Sequence, residues 1–151
     1  MLSAEQDIAI LNAPNGQPHS PIKGIEFRDS PLRLHEVLYS APAELSGRVT
    51  KPFYSCKPTS GVVSSTYVPH KVEGVLIDVY VEVQGMKSFR GASGTPVWDE
   101  NGLAVGIIVR VDSQAGQPLT YIKTTGSLAH KLSKLLTFSV AMNIVADKIS
   151  G

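Results

Sequence analysis

The chain has 151 residues, which is enough for one domain with a core but short for a two-barrel all-β protein of roughly 200–250 residues. Hydrophobic residues make up 42% and charged residues 18%, which excludes wholesale disorder. Fourteen basic and thirteen acidic residues give a net charge of +1, so no broad basic surface for nucleic acid is predicted. The single cysteine, Cys56, excludes an internal disulfide, and we expect it to be buried as a small apolar residue.

The first residues, MLSAEQDIAI, lack the basic and apolar regions of a signal peptide. No run of apolar residues reaches the roughly 18 that a membrane span needs. The sequence does not favour one cellular compartment. Residues 8–11 read as a short strand directly after Asp7. Residues 13–31 contain four prolines and read as an extended linker, because proline holds φ near −65° and lacks a backbone donor.

Strand patterns follow closely from residue 32 onward, separated by Pro or Gly. LHEVLYS (34–40), RVTKPFYS (48–55) and SGVVSSTYV (60–68) are the first three. VLIDVYVEV (75–83) alternates strictly and predicts one buried face and one wetter face. The valines and Ile77 form the first face, and Asp78 and Glu82 belong to the second.

PVWDENGLAVGIIVRV predicts a β-hairpin that turns at residues 99–102, followed by a central strand over 103–111. Another strand, LTYIK (119–123), comes after a Gly-Gln-Pro turn. Leucines then recur at helical spacing, which predicts a helix and tail over 127–151 with Ser127 or Thr125 as its cap. Residues 32–126 are therefore expected to form one barrel of six or seven strands.

Ser93 lies between Gly91-Ala92 and Gly94, and Pro96 leads the chain into a strand. Glycines let the backbone fold tightly, so several N–H groups can converge on one point, as an oxyanion hole requires. An ordinary Gly-Ser turn has the same pattern. The nucleophile elbow of α/β-hydrolases is excluded, because Thr95 replaces its last glycine and a hairpin follows instead of a helix.

GASGTPVWDENGLAVGI resembles the nucleophile loop of chymotrypsin/trypsin-like serine proteases, including their disulfide-poor bacterial members. Three other stretches are similar to the family in the same order, namely DIAIL (7–11), SGVVSS (60–65) and LTYIKTTGSLAHKL (119–132). The resemblance implies an all-β fold, in which one trypsin-like antiparallel β-barrel, the C-terminal half of the double-barrel fold, carries a C-terminal helix. Residues 1–12 would then be the last strand of the first barrel.

The resemblance also implies roles for individual residues. Ser93 would be the nucleophile, Asp7 would orient the catalytic histidine, and the N–H groups of Gly91 and Ser93 would form the oxyanion hole. Residues 109–111 would pair with the substrate, which implicates Val109, Arg110 and Val111. Lys87 stands where the family places charge at the base of the specificity pocket. If its side chain turned inward, the pocket would favour acidic substrate side chains. If it turned outward, Lys87 would be a solvated loop residue. The family needs no metal or cofactor.

The sequence departs from the protease family at the general base, the catalytic histidine. The family order is His, Asp, Ser, yet only six residues precede Asp7 and none is His. We therefore expect a C-terminal portion whose histidine comes from upstream sequence or from a complementary chain. His35, His70 and His130 read as surface or structural residues, and His19, in the linker, is the best substitute within the chain.

Three functional hypotheses remain open at this stage. The first is a trypsin-like serine endopeptidase domain acting on protein or peptide substrates, incomplete and inactive alone. The second is a non-catalytic, protease-like binding module, favoured by the missing histidine and by Ala92 at a position that often holds Asp or Asn in the family. The third is an unrelated small β-barrel with an accidental Gly-Ser turn. None of them predicts nucleic-acid binding or a membrane span.

Overall fold

The computed structural model describes residues 2–3, 8–9 and 25–128, and these form a mostly antiparallel β structure. A helix begins at residue 125, and its described part ends at residue 128. No helix in this part of the chain is long and apolar enough to cross a membrane. The strands are β1 (Leu2–Ser3), β2 (Ile8–Ala9), β3 (Val37–Ser40), β4 (Ala43–Arg48), β5 (Lys51–Cys56), β6 (Thr59–Val72), β7 (Val75–Gln84), β8 (Pro96–Trp98), β9 (Ala104–Gln114) and β10 (Gln117–Thr124).

Six of these strands close into a barrel in the order β10-β7-β6-β3-β8-β9. The closure lies between β3 and β8, which share two pairs, Tyr39 with Trp98 and Ser40 with Val97. The Ser40 hydroxyl reinforces it by donating to the Pro96 carbonyl at 2.8 Å. Among the described strands, β1 pairs with β2, and β4 with β5, as separate two-stranded sheets.

The barrel interior follows from the two-residue period of its strands. In β7, Val81 and Val83 are buried as predicted, whereas Val75 is exposed near the turn of the long β6–β7 hairpin. The interior is an apolar cluster drawn from every barrel strand and from the β7–β8 connection. Its fully buried members include Leu38, Val63, Val83, Met86, Val97, Ile108 and Ile122.

The prediction that Asp78 lies on the wetter face of β7 is wrong, because this residue is buried. Lys123 of β10 is also buried, and its Nζ lies 3.4 Å from Oδ2 of Asp78. The Ser127 hydroxyl donates to the other carboxylate oxygen at 2.8 Å. A charge is tolerated in such a position when it is paired and hydrogen-bonded, so the partner on β10 explains the burial.

Residues 43–56 differ from their prediction as one strand over 48–55. The chain reverses at residues 49–50, so β4 and β5 form a hairpin in which Arg48 pairs with Lys51. No second layer covers this sheet within the described ranges, and most of its side chains are exposed. Cys56 is exposed at its end, so the prediction of a buried cysteine is wrong.

The predicted β8–β9 hairpin is confirmed. The Asp99 carboxylate accepts hydrogen bonds from the backbone N–H groups of Asn101 and Leu103, and Gly102 adopts a φ of +78°. The helix cap differs from both predicted residues. Thr124 supplies it, because its hydroxyl accepts the Ser127 N–H at 3.4 Å.

The segment before the barrel, residues 25–31, lies against the start of β9. Ala104 donates to the Glu26 carbonyl and accepts from the Arg28 N–H, both at 2.9 Å. The Arg28 guanidinium binds both carboxylate oxygens of Glu36, at 2.6 and 2.9 Å, and lies 3.5 Å from Asp99. One arginine thus joins this segment to the residue before β3 and to the β8–β9 turn. The rest of the predicted linker lies outside the described residues.

The Arg28–Glu36 pair makes stability depend on pH. The hydrogen bond from Arg28 lowers the pKa of Glu36, so the folded state favours the ionised carboxylate. This contribution is complete above the ordinary glutamate pKa of about 4.3 and is lost as the pH falls through and below that value. In urea unfolding between pH 6 and 3, we expect Glu36→Gln to remove about 1 kcal/mol of acid-dependent stability, since the pair is partly solvated. The exposed Glu100→Gln is the control; equal pH profiles for Glu36→Gln and the unmodified chain would contradict this role.

Candidate functional site

Residues 85–95, called the serine loop below, join β7 to β8 at one end of the barrel. The loop is tied to the strands around it before it reaches Ser93. The Lys87 N–H donates to the Thr59 hydroxyl at 2.8 Å, and the hydroxyls of Ser88 and Thr120 lie 2.6 Å apart. Thr120 is fully buried, so the Ser88–Thr120 hydrogen bond attaches the loop to a buried position on β10.

Two left-handed glycines fold the loop sharply around Ser93. Gly91 has a φ of +98° and Gly94 a φ of +87°, a region that residues with a Cβ rarely occupy. Ala92 is 1% exposed and belongs to the apolar core, whereas Ser93 is exposed. The tight turn expected from these glycines is confirmed, and it places the serine on the surface.

The backbone N–H groups of the loop divide into two sets. Those of Ala92, Gly94 and Thr95 are used internally; Gly94, for example, donates to the Ile108 carbonyl at 2.7 Å. Those of Gly91 and Ser93 donate to no acceptor among the described residues, and both residues are exposed. Two free donors, one residue apart, therefore accompany the serine hydroxyl.

The Ser93 hydroxyl lies beside an open edge of β9. It donates to the Val109 carbonyl at 3.4 Å, long for an O–H···O hydrogen bond, whose usual distance is about 2.7–2.8 Å. The pairing of β8 with β9 reaches only to Pro96 opposite Ile107, so residues 109–111 have no strand on that side in the described structure. On the other side they pair with β10, as Val111 does with Thr120. The edge next to Ser93 can thus accept an extended chain.

A shallow recess of about 450 Å³ lies between the serine loop and the β9–β10 turn. Its lining includes Ser88, Arg90 and Asp112. The predicted basic residue, Lys87, is exposed and does not line the recess. Sequence reasoning missed Arg90 and Asp112, because the conformation of the loop and of the β9–β10 turn decides which side chains face the recess.

Arg110, predicted to contact substrate, is held by its neighbours. Its guanidinium donates to the Asp112 carboxylate at 2.9 Å and lies 5.3 Å from the centre of the Tyr121 ring. The Ser113 N–H and, secondly, Arg110 lower the pKa of Asp112. Burial and a hydrogen bond to Glu82 raise the pKa of Tyr121.

The two histidines within the described ranges do not hydrogen-bond Ser93. His35 is exposed just before β3, where its N–H donates to the Val63 carbonyl. His70 stacks on Tyr80 in the β6–β7 hairpin, with 5.2 Å between ring centres. Asp7, His19 and His130 lie outside the described residues, so the predicted alignment of Asp7 with Ser93 stays a prediction.

No other described cluster competes with the serine loop as a chemical site. Within residues 25–128, no group of three His, Cys, Asp or Glu side chains is placed to hold a metal ion. A larger recess of about 690 Å³ lies near the start of β7, at the opposite end of the barrel. It includes Asp78 and Ser127 and no residue of the serine loop.

No family model and no curated protein matches this chain. The resemblance to trypsin-like proteases therefore depends on the four sequence stretches. The loop geometry is independent of that resemblance, since it follows from the backbone around Ser93.

The left-handed conformation of Gly94 can be tested with a matched glycine. An added Cβ meets no atom within 4 Å at either Gly94 or Gly126, so only the backbone conformation separates them. We expect Gly94→Ala to lower the free energy of unfolding by about 1–2 kcal/mol, and Gly126→Ala, in the helix, to raise it by about 0.5–1 kcal/mol. Denaturant unfolding of both variants measures the difference; equal shifts would show that the loop relaxes out of the left-handed region.

Proposed function

We propose that this chain is the nucleophile-bearing part of a trypsin-like serine endopeptidase, built on the C-terminal barrel of that fold. One observation carries the proposal. Ser93 is exposed between two left-handed glycines, and the neighbouring N–H groups of Gly91 and Ser93 have no acceptor in the described structure. A closed six-stranded antiparallel barrel with its serine just before a short strand agrees with the resemblance.

The proposed chemistry assigns each group one task. The Ser93 Oγ attacks the carbonyl carbon of a peptide bond, and a base accepts its proton. The carbonyl oxygen becomes an oxyanion, which the Gly91 and Ser93 N–H groups stabilise by hydrogen bonds. The base returns the proton to the leaving amine. Water then hydrolyses the acyl-enzyme and regenerates the serine.

The proposed substrate is an extended peptide lying along residues 109–111. An open strand edge binds such a chain through main-chain hydrogen bonds, while recesses beside it select side chains. The recess between the serine loop and the β9–β10 turn is lined by Arg90 and Ser113, and its carboxylate, Asp112, is engaged by Arg110. We therefore propose a polar or acidic side chain at this subsite. Lys87, on the same loop, contributes positive charge from the solvent side.

The general base of this proposal is a histidine other than His35 and His70. It would come from upstream sequence or from a complementary chain, with Asp7 orienting it. Loss of one triad member leaves only the modest residual catalysis of the oxyanion hole and substrate binding. The 151-residue chain is thus proposed to be inactive alone.

A non-catalytic binding module is the second candidate. The Ser93 hydroxyl points to the Val109 carbonyl, and no described histidine contacts it. In this case the edge at residues 109–111 would hold an extended peptide without cleaving it. The two candidates share the binding surface and differ in whether Ser93 can be acylated.

A fluorophosphonate probe distinguishes the candidates, because it reacts with activated serines. We expect mass spectrometry to find little modification of Ser93 in the chain alone. Added imidazole should increase it several-fold by supplying the missing base. A chain extended upstream to include the histidine should react faster still.

Two serine substitutions provide the controls. Ser93→Ala should abolish the adduct, and Ser60→Ala, which removes another exposed serine, should leave it unchanged. If neither imidazole nor the extended chain produces a Ser93 adduct, the enzyme proposal is wrong and the binding module is favoured.

A further inference from the structure

The β4–β5 hairpin, residues 43–56, stands apart from the barrel as its own sheet. It rises at the same end as Ser93, because the residues flanking it are bonded to the serine loop and to its junction with β8. The Ser40 hydroxyl donates to the Pro96 carbonyl, and the Thr59 hydroxyl accepts from the Lys87 N–H. An isolated two-stranded sheet is only marginally stable in water, and this one is anchored at its base, where the Lys57 N–H donates to the Pro42 carbonyl at 3.2 Å.

The outer half of the hairpin exposes large apolar side chains on both of its faces. Leu45 is 60% exposed and pairs with Tyr54, which is 74% exposed on the same face. Phe53, 58% exposed, belongs to the opposite face, and Val49 at the turn is 100% exposed. A partner with a flat surface covers one face of a sheet, whereas here Leu45 and Tyr54 project from one face and Phe53, among polar neighbours, projects from the other. Exposed apolar side chains on both faces fit an environment, such as a lipid layer, that surrounds the end of the hairpin.

The tip of the hairpin, residues 45–54, is also positively charged. Arg48 and Lys51 lie directly opposite each other beside the turn, and neither forms an ion pair in the described part of the chain. Like charges in such a pair repel, so an external anion would stabilise them. Glu44, at the base of the hairpin, pairs with Lys57 at 2.6 Å, so residues 45–54 hold two basic and no acidic residues.

We propose that the tip of the β4–β5 hairpin enters the interface of a membrane that contains anionic lipids. Val49 and the aromatic rings would lie among the headgroups and upper acyl chains, and Arg48 and Lys51 would contact the anionic headgroups. Nucleic acid would use the cations and the aromatic rings but would leave Leu45 and Val49 in water. The proposal is independent of the function proposed for Ser93, although it would bring that end of the barrel close to the membrane.

Vesicle partitioning of the full chain tests this proposal. We expect cosedimentation with phosphatidylcholine vesicles containing about 30% phosphatidylserine, at least tenfold stronger than with phosphatidylcholine alone. The double variant Arg48→Glu/Lys51→Glu and the single variant Val49→Asp should each weaken it roughly tenfold. Val75→Asp, at an exposed valine of the other long hairpin, is the matched control and should bind as the unmodified chain does. Ser93→Ala should also bind normally, which separates this test from the acylation experiment.

A fluorescent label at the tip shows whether it enters lipid. Val49→Cys in a Cys56→Ser background leaves one thiol for an environment-sensitive dye, whose emission should shift to the blue and be quenched by doxyl-labelled lipids. Partitioning that is unchanged by the charge reversal, or equally reduced by Val75→Asp, would overturn the proposal. It would also be overturned if the shift occurred without vesicles on raising the protein concentration, which would indicate a second copy. Tighter binding to DNA or polyglutamate than to vesicles, without quenching, would have the same meaning.

Discussion

The pairing of β8 on both of its edges is the constraint on which the rest of the structure depends. This strand has only three residues, yet it joins β3 to β9 and so turns an open sheet into a barrel. Closure joins the two sides of the sheet, leaves residues 109–111 of β9 as an open edge, and encloses a continuous apolar core. Because β8 is short, the Ser40–Pro96 hydrogen bond strengthens a junction that has only two residue pairs.

The same junction determines what Ser93 can do. The serine loop enters β8 directly, and Gly94 and Thr95 already exchange hydrogen bonds with Ile108. These bonds use the inward N–H groups and leave those of Gly91 and Ser93 for a ligand. Preorganised donors of this kind are effective because they do not reorient when charge develops on the substrate. In the proposed function these two N–H groups would bind an oxyanion or a polarised carbonyl, and the base would come from outside the described residues.

Local patterns predicted much of the fold, and distant contacts account for what they missed. The β8–β9 hairpin was predictable because Asp99 and Gly102 define a turn within four residues. The burial of Asp78 was not, since it depends on Lys123 in another strand. The β4–β5 reversal has no glycine or asparagine at its centre, and its alternating residues also suit one strand. In the site, the tight turn around Ser93 was predictable from the neighbouring glycines. The position of Arg90 at the recess was not, because it depends on how the whole loop folds.

The order of strands around the barrel also has a consequence for how the chain folds. β10 lies between β7 and β9, and β3, the first barrel strand, meets β8 only across nearly sixty residues of intervening sequence. During synthesis the barrel therefore stays open until the ribosome has released the chain as far as residue 124. Until then β7 and β9 present unpaired edges, to which strands of other nascent chains can add. Folding dominated by such distant pairings is slow, so we expect this barrel to form more slowly than a helical domain of its size.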